Sequence, residues 1–326
     1  MKIRKAKGKA LSFLKNKLVK KSLVLIYHRV IDLKEDPQQL TISLHNFEKQ
    51  LSYLKEHYTI KSLQELINDL RVGNIIDESI AITFDDGYFD NYLFALPILE
   101  KLQIPATFFV STGYINKEDE FWWDKLETII LLSAELPANL KITIQGKSVN
   151  WEDCNKKRRV LYKDILSMLK KSNLSDIQNV IDQLISWSGN NYKPRQNYRP
   201  MNLEELIAMS KSQMAEIGAH TINHCVLANE SIEDQKKEIN ESKLFLENVL
   251  NKKINSFSYP FGSINDYSDF TPTIVEELGF NCGIANNQNL VTKKTNVYTV
   301  PRFLVRNWDV AEFKNKIKNI FRFGPE

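Results

Sequence analysis

Two adjacent carboxylates are the residues of this sequence best placed to do chemistry. Asp85 and Asp86 follow an apolar run at residues 80–84 and precede Gly87. An apolar run of this length predicts a buried strand, so both acids would stand at its carboxyl end, where parallel α/β folds build their sites. One acid could bind a metal ion while its neighbour takes a proton from water held by that ion. A plain Asp-Gly turn is the alternative.

A second segment contains two histidines. His220 and His224 follow a short apolar run, and their spacing of four residues predicts a helical turn with both imidazoles on one face. Two imidazoles and one carboxylate suit Zn²⁺ and neighbouring divalent ions, and three protein ligands leave positions for water and substrate. The two segments together therefore predict a catalytic metal site, although a lone His pair is also common on protein surfaces.

Both segments resemble motifs of a known family. Thr-Phe-Asp-Asp-Gly at 83–87 and His-Thr-Ile-Asn-His at 220–224 are similar to the first two motifs of the NodB-homology polysaccharide deacetylases, carbohydrate esterase family 4. The resemblance covers about residues 21–310. It implies one catalytic base and three ligands of a divalent ion, Zn²⁺ first and Co²⁺ or Ni²⁺ as alternatives. The implied base is Asp85, and the implied ligands are Asp86, His220 and His224.

The same resemblance implies a fold and a reaction. The fold is α/β, a distorted (β/α) barrel of about seven strands. The reaction is hydrolysis of the N-acetyl group of an amino sugar, in a polysaccharide or in its lipid-linked precursor. Two alternatives stay open: a deformylase or other amidohydrolase acting on a lipid-linked sugar, and a carbohydrate-binding module without turnover.

A third motif is present in altered form. Ser-Tyr-Pro-Phe-Gly at 258–262 resembles the family motif that ends in Pro-Tyr or Pro-Phe and offers a backbone N–H to the oxyanion. Phe261 is the matching position, and Tyr259 beside it is a further candidate for substrate contact. The family usually has an Arg just before the Pro, and this sequence has none. Arg302, which follows a predicted strand at 297–300, could bring a guanidinium to the catalytic base instead.

Amide hydrolysis also needs a proton for the departing amine, which an imidazolium usually provides. The family's usual C-terminal His is missing, because no His follows His224. His45 and His57 fall at predicted loop or helix positions, whereas His28 ends the first apolar strand, as the acids end theirs. His28 is therefore the predicted general acid, and a structural His bonded to backbone is the alternative. The Tyr-His pair at 27–28 also resembles the permuted branch of the family, the poly-N-acetylglucosamine deacetylases.

Strands and helices alternate along most of the chain, which predicts a parallel sheet or barrel. The helix expected after 62 has Ser62 as N-cap and Glu65 at capping-box spacing. Strands are predicted at 22–28, 58–60, 106–110 and 256–259, and helices at 46–57 and 231–250.

The alternation stops between about residues 115 and 200. A hairpin is predicted at 140–151, and helices are predicted at 153–171 and 175–187. We interpret this segment as a mostly helical insertion, a lid or brace within one deacetylase domain that spans 22–326, with a separate binding domain as the alternative. Adjacent aromatic residues near its start, Trp123 among them, could stack on a sugar ring, while one of them could belong to the core.

Composition limits the alternatives. A chain of 326 residues with 43% hydrophobic content can bury one barrel with an insertion. Three cysteines are widely separated and suggest neither a disulfide framework nor a thiolate zinc site: Cys154, Cys225 and Cys282. Reduced thiols favour a cytoplasmic location.

The basic residues are concentrated in a leader at residues 1–21. Nine Lys and Arg and no acid lie there, which gives the leader a charge of +9. The whole chain has a formal net charge of +4, so the remaining residues carry 4 − 9 = −5. This distribution argues against a nucleic-acid-binding domain. The apolar run at 10–14 is broken by Lys15, so we predict no signal peptide. The leader could lie as an amphipathic helix on the inner face of an anionic membrane, or be a solvated tail.

Overall fold

The computed structural model describes residues 19–189 and 191–325. The leader predicted at 1–21 lies almost entirely outside the described residues. Within them, no helix combines the length and the apolar character needed to cross a bilayer.

Twelve strands and ten α-helices follow one another along the described chain. The strands are β1 (Ser22–Tyr27), β2 (Arg29–Val30), β3 (Thr41–Ile42), β4 (Thr59–Ile60), β5 (Ser79–Phe84), β6 (Ala106–Val110), β7 (Leu140–Ile144), β8 (Lys147–Trp151), β9 (Ala215–Ala219), β10 (Ser256–Ser258), β11 (Cys282–Ile284) and β12 (Phe303–Leu304). The helices are α1 (Leu44–His57), α2 (Leu63–Arg71), α3 (Leu96–Leu102), α4 (Trp122–Ile130), α5 (Arg158–Leu169), α6 (Leu174–Ser188), α7 (Leu203–Ser210), α8 (Ile232–Leu250), α9 (Thr271–Glu277) and α10 (Val310–Phe323).

A parallel sheet forms the centre of the fold. Its order is β11-β10-β9-β6-β5-β1-β12, and the short β4 pairs with the start of β5. The longest pairing joins β1 to β5 over six residues, all of them buried. Strands buried on both faces are typical of parallel sheets covered by helices, which explains their continuous apolar sequences. The predicted α/β barrel of about seven strands is confirmed.

The sheet is closed by the segment that leads into β12. Val300 exchanges hydrogen bonds with the β11 region, donating to Gly283 and accepting from Ala285 at 2.9 and 2.8 Å. A few residues later, β12 pairs with β1 on the opposite side of the sheet. One short segment therefore joins both edges. The strand predicted at 297–300 is wrong in position, because residues 297–299 form a turn and the ladder with β1 begins at Phe303.

Local signals in the sequence act as expected at several helix starts. Ser62 and Glu65 form a capping box at the start of α2. Ser231 caps α8, with its side chain accepting from the Asp234 N–H. In both cases the cap satisfies amide groups that the first helical turn leaves without partners.

The predicted insertion lies between β6 and β9 and has a hydrophobic core of its own. The hairpin β7–β8 turns at Gln145 and Gly146 as predicted, with Leu140 paired to Trp151. Helices α4, α5 and α6 pack with this hairpin around buried aliphatic and aromatic side chains that include Leu126, Ile165 and Leu184.

The chain returns from the insertion directly to the Asp-Asp loop. The Met201 N–H donates to Gly87 O, and the Phe89 N–H donates to Arg199 O. The end of the insertion is therefore hydrogen-bonded to the loop that carries the two acids.

Candidate active site

The functional candidates meet at one edge of the sheet because the strands are parallel. Asp85 and Asp86 follow β5, His220 follows β9, and His28 follows β1. The backbone N–H of Asp85 donates to Tyr27 O, so the end of β1 lies beside the end of β5. The carboxyl ends of the strands thus bring together residues that are far apart in sequence.

Three of these side chains converge closely. The Nε2 atoms of His224 and His220 lie 3.1 and 3.6 Å from Asp86 Oδ1. All three side chains are buried, and their ligand atoms lie within 4.8 Å of one another. Asp86, His220 and His224 are thus placed as the sequence analysis predicts for a metal-binding set.

The donor chemistry of this set fits a divalent ion. The Nδ1 atom of His220 donates to Ser258 O at 2.7 Å, which leaves its Nε2 as the free ligand atom. That Nε2 is buried and makes no hydrogen bond to the described chain. This arrangement is usual for a metal-ligating His. A backbone carbonyl fixes one ring nitrogen, here Nδ1, and the other nitrogen, here Nε2, points toward the neighbouring carboxylate ligand.

Unusual backbone conformations place these groups. Asp86 and Gly87 have φ values of 74° and 84°. A Cβ on Gly87 would lie 3.0 Å from Val110 Cγ1, so the position favours glycine both sterically and conformationally. The strand therefore ends in an abrupt left-handed turn that orients the Asp86 side chain separately from its neighbour.

The helical turn predicted for the His pair is wrong. Thr221 and His224 have φ values of 61° and 52°, which a right-handed helix excludes, and the segment is a loop after β9. The His224 N–H donates to Thr221 Oγ1 at 3.0 Å. Glu238 on α8 accepts the N–H groups of Ile222 and Asn223, each at 3.0 Å. Turn chemistry rather than helical periodicity brings the imidazoles together.

Asp85 is held by an arginine from the closing segment. The guanidinium of Arg302 donates to both carboxylate oxygens of Asp85 at 2.7 Å, and Arg302 is fully buried. Ser258 Oγ donates to Asp85 Oδ2 at 3.1 Å and accepts from Arg302 Nη2 at 2.8 Å. The guanidinium that the third motif lacks is supplied by a residue 217 positions beyond Asp85.

The electrostatics keep both acids ionised. Burial acts to raise the pKa of Asp85, but the charges of Arg302 and His220 outweigh burial and hold the pKa below its usual range. Burial also acts to raise the pKa of Asp86, and the neighbouring side chains of His220 and His224 reverse that effect, so its pKa lies below the ordinary value.

His28 lies next to the two acids. Its backbone O accepts from Asn91 Nδ2 at 2.7 Å, while its buried Nδ1 makes no hydrogen bond to the described chain. Burial lowers the pKa of His28, and the charges of Asp86 and Asp85 act against that shift. The alternative hypothesis, a structural His, requires a hydrogen bond between the ring and the backbone. The Nδ1 atom of His28 makes no such bond to the described chain.

The loop after β10 gives different environments to two predicted contact residues. Phe261 has a φ of 58°, packs its ring against the His224 ring at 4.7 Å, and its N–H meets no acceptor in the described chain. Tyr259 is fully buried, stacks on Tyr267 and donates its hydroxyl to Tyr298 O at 2.7 Å. The predicted substrate contact of Tyr259 is wrong, since its side chain belongs to the core.

Trp123 is also not a sugar-stacking residue. Only 4% of it is exposed, and its ring is stacked on Phe121 at 4.7 Å with an interplanar angle of 7°. Its remaining contacts include the His224 ring at 4.7 Å. Trp123 thus packs behind a predicted metal ligand and presents no open face to substrate.

Three residues of the site were not predicted. Ser258 is hydrogen-bonded to Asp85, Arg302 and His220. Glu238 accepts hydrogen bonds from the loop that carries the two His residues. The Tyr88 hydroxyl accepts a hydrogen bond from Trp123. Only Ser258 had a usable signal, because it lies within the stretch where the third motif departs from the family pattern.

The barrel and this site define a class of protein: a (β/α)-barrel hydrolase with two carboxylates and two imidazoles buried at the carboxyl ends of its strands. The protein-family model described as "Polysaccharide deacetylase" matches residues 73–136 and 145–283 of this chain. The chain belongs to the polysaccharide deacetylase family, whose members are hydrolases of carbon–nitrogen bonds other than peptide bonds.

Relatives and solved structures agree with this assignment. A poly-beta-1,6-N-acetyl-D-glucosamine N-deacetylase of Staphylococcus aureus (strain MSSA476) is 23% identical over 297 residues, covering 87% of this chain and 78% of the relative. The enzyme of the same name from Staphylococcus epidermidis is 24% identical over 320 residues, covering 94% and 85%.

Among solved structures, the Streptococcus pyogenes deacetylase PplD in complex with acetate superposes with a TM-score of 0.60 at 19% identity, covering 92% of this chain and 99% of that one. IcaB from Ammonifex degensii superposes with a TM-score of 0.53 at 18% identity, covering 94% and 98%. These likenesses establish the same fold.

The Asp85–Arg302 pair predicts a large stability effect. Arg302→Met should lower the free energy of unfolding by about 3–5 kcal/mol, because it leaves a buried carboxylate without its counter-charge. Urea unfolding of the metal-free protein measures this change. Lys101→Met is the control, since its ion pair with Glu48 is largely exposed and should count for less than about 0.5 kcal/mol. Equal effects of the two variants would show that Arg302 does not compensate Asp85.

Proposed function

We propose that the chain is a metal-dependent deacetylase that hydrolyses the acetamido group of N-acetylglucosamine units in a β-1,6-linked polymer or its precursor. The observation that carries this proposal is the convergence of Asp86, His220 and His224 beside a second carboxylate paired with Arg302. The names of the staphylococcal relatives support the choice of sugar.

The proposed reaction assigns one task to each group. Asp86, His220 and His224 would hold a divalent ion, which would supply Lewis-acid chemistry by polarising a carbonyl and lowering the pKa of water. Asp85, kept ionised by Arg302, accepts a proton from the attacking water. As the C–O bond forms, negative charge develops on the acetyl oxygen, and the N–H of Phe261 is available to donate to it. His28 then gives a proton to the nitrogen as the C–N bond breaks.

Arg302 also bears on the binding-only alternative. A binding module without turnover would be favoured if the Arg missing from the third motif left the base without electrostatic support. The bidentate contact between Arg302 and Asp85 removes this reason. Formyl amides would need the same groups, so a deformylase differs only in the acyl group accepted.

We further propose that the enzyme acts inside the cell, at the inner face of the membrane, on a precursor of surface polysaccharide. The support is electrostatic, because the nine basic residues of the leader would attract an anionic surface. The leader joins β1 at Ser22, whereas the candidate site lies past Tyr27 at the other end of that strand. Six residues of strand span roughly 20 Å, so the point where the leader joins the barrel and the candidate site lie at opposite ends of β1.

Removing one ligand should abolish turnover. His220→Ala is expected to lose bound metal and acetate release from N-acetylglucosamine oligomers, because two remaining ligands hold a divalent ion poorly. Metal analysis and an acetate assay measure the two quantities. His45→Ala is the matched control, as His45 is an exposed His away from the site. Full activity of His220→Ala without bound metal would refute the proposed mechanism.

The role of His28 can be separated from that of the other residues by the leaving group. His28→Gln should lower kcat for an acetamido sugar by roughly a hundredfold or more. It should have far less effect on an activated aryl acetate, because a phenolate departs without a proton. Equal losses on both substrates would contradict a general-acid role and favour a structural one.

The leader can be tested without disturbing the barrel. Lys21 must be retained, because it is buried and its Nζ donates to Phe321 O. Deleting residues 2–18, or replacing the basic residues there with Gln, should leave deacetylation unchanged. Both changes should weaken binding to anionic vesicles, by about 1 kcal/mol per charge close to the surface. Binding equal to that of the full chain at low salt would refute the membrane contact.

A further inference from the structure

The two imidazoles of the candidate metal site are oriented by different means. The Nδ1 of His220 donates to a backbone carbonyl, which fixes the ring. The Nδ1 of His224 is buried and makes no hydrogen bond to the described chain. Metal-ligating imidazoles generally depend on a partner at the far nitrogen for their orientation. The orientation of His224 must therefore come from packing.

Two aromatic rings provide that packing. Trp123 lies 4.7 Å from the His224 ring at an interplanar angle of 56°, and Phe261 lies 4.7 Å from it at 72°. Edge and tilted contacts at these distances restrict rotation of the His224 ring, and the two aromatic rings also contact each other, with centroids 6.4 Å apart. Trp123 belongs to α4, so one of the two contacts is contributed by the insertion.

Trp123 is itself fixed by a buried chain of hydrogen bonds. Its Nε1 donates to the Tyr88 hydroxyl at 2.7 Å, and that hydroxyl donates to Asp124 Oδ2 at 2.7 Å. Tyr88 is 1% exposed, and the Arg29 guanidinium lies 4.3 Å from its ring centre. Tyr88 follows the Asp-Asp loop, whereas Trp123 and Asp124 lie on α4. The chain thus ties the insertion to the loop that carries Asp86.

From this geometry we infer that Tyr88, Asp124 and Trp123 are positioning residues that hold His224 in its metal-binding orientation, so that the insertion serves as a brace of the metal site. The inference rests on the proposed function for the identity of His224 as a ligand. It goes beyond it by giving the insertion a task in the same site.

Tyr88→Phe is the informative variant, because it keeps the ring and removes both hydrogen bonds. We expect the purified variant to bind Zn²⁺ about tenfold more weakly in a chelator competition. We also expect the visible absorption spectrum of its Co²⁺ form to change, since that spectrum reports ligand geometry. Trp123→Phe, which removes the indole N–H from the same chain, should change both quantities in the same direction and serves if Tyr88→Phe does not fold.

Two controls separate orientation from general stability. Tyr162→Phe removes another buried hydroxyl of the insertion core, one without a hydrogen bond in the described chain. Ile165→Ala loosens the same core without touching the chain of contacts. Both should retain wild-type Zn²⁺ affinity and the wild-type Co²⁺ spectrum while folded.

The outcomes are distinguishable. If folded Tyr88→Phe and Trp123→Phe match the wild type in affinity and spectrum, the brace is refuted while the proposed function stands. If Ile165→Ala weakens binding as much as Tyr88→Phe, the effect is one of stability and the positioning role is refuted. If the wild-type protein itself binds neither ion, the proposed metal-dependent function fails first.

Discussion

The structure depends on burying two neighbouring carboxylates, Asp85 and Asp86, and compensating each of them separately. A buried, ionised carboxylate without a partner is too costly to keep. Asp85 is compensated by a bidentate guanidinium, whereas Asp86 faces the two imidazoles that would hold a compensating divalent ion with it. The left-handed conformation of Asp86 makes this division possible, because it turns adjacent side chains toward different partners.

These partners come from distant parts of the chain, and the parallel sheet is what brings them together. Arg302 precedes β12, which pairs with β1, while His220 follows β9, which pairs with β6. Arg302 lies in the same segment that joins both edges of the sheet, between Val300 and β12. This segment therefore both closes the barrel and supplies the electrostatic support of the proposed base.

Most of the strands, the caps and the residues at the strand ends could be predicted from the sequence, because apolar runs and capping residues are local signals. Ser62, the hairpin at Gln145 and the edge position of Asp85 all follow from them. The neighbours of a buried side chain are not local information. Tyr259 and Trp123 are aromatic residues of the types that bind sugars, yet both side chains are buried in the core. The His loop was predicted wrongly since a spacing of four fits a helix, and only the tertiary contacts to Glu238 show that the backbone takes another path.

The two halves of the site consequently depend on different parts of the molecule. Asp85 and His220 are held by the barrel itself, through Arg302, Ser258 Oγ and the Ser258 carbonyl. His224 is held by two neighbouring aromatic rings, Phe261 from the barrel and Trp123 from the insertion. A backbone carbonyl survives substitution of its own side chain, whereas an aromatic contact does not. Substitutions in the insertion should therefore affect one proposed metal ligand, His224, more than the others, although no residue of the insertion is assigned to bind substrate.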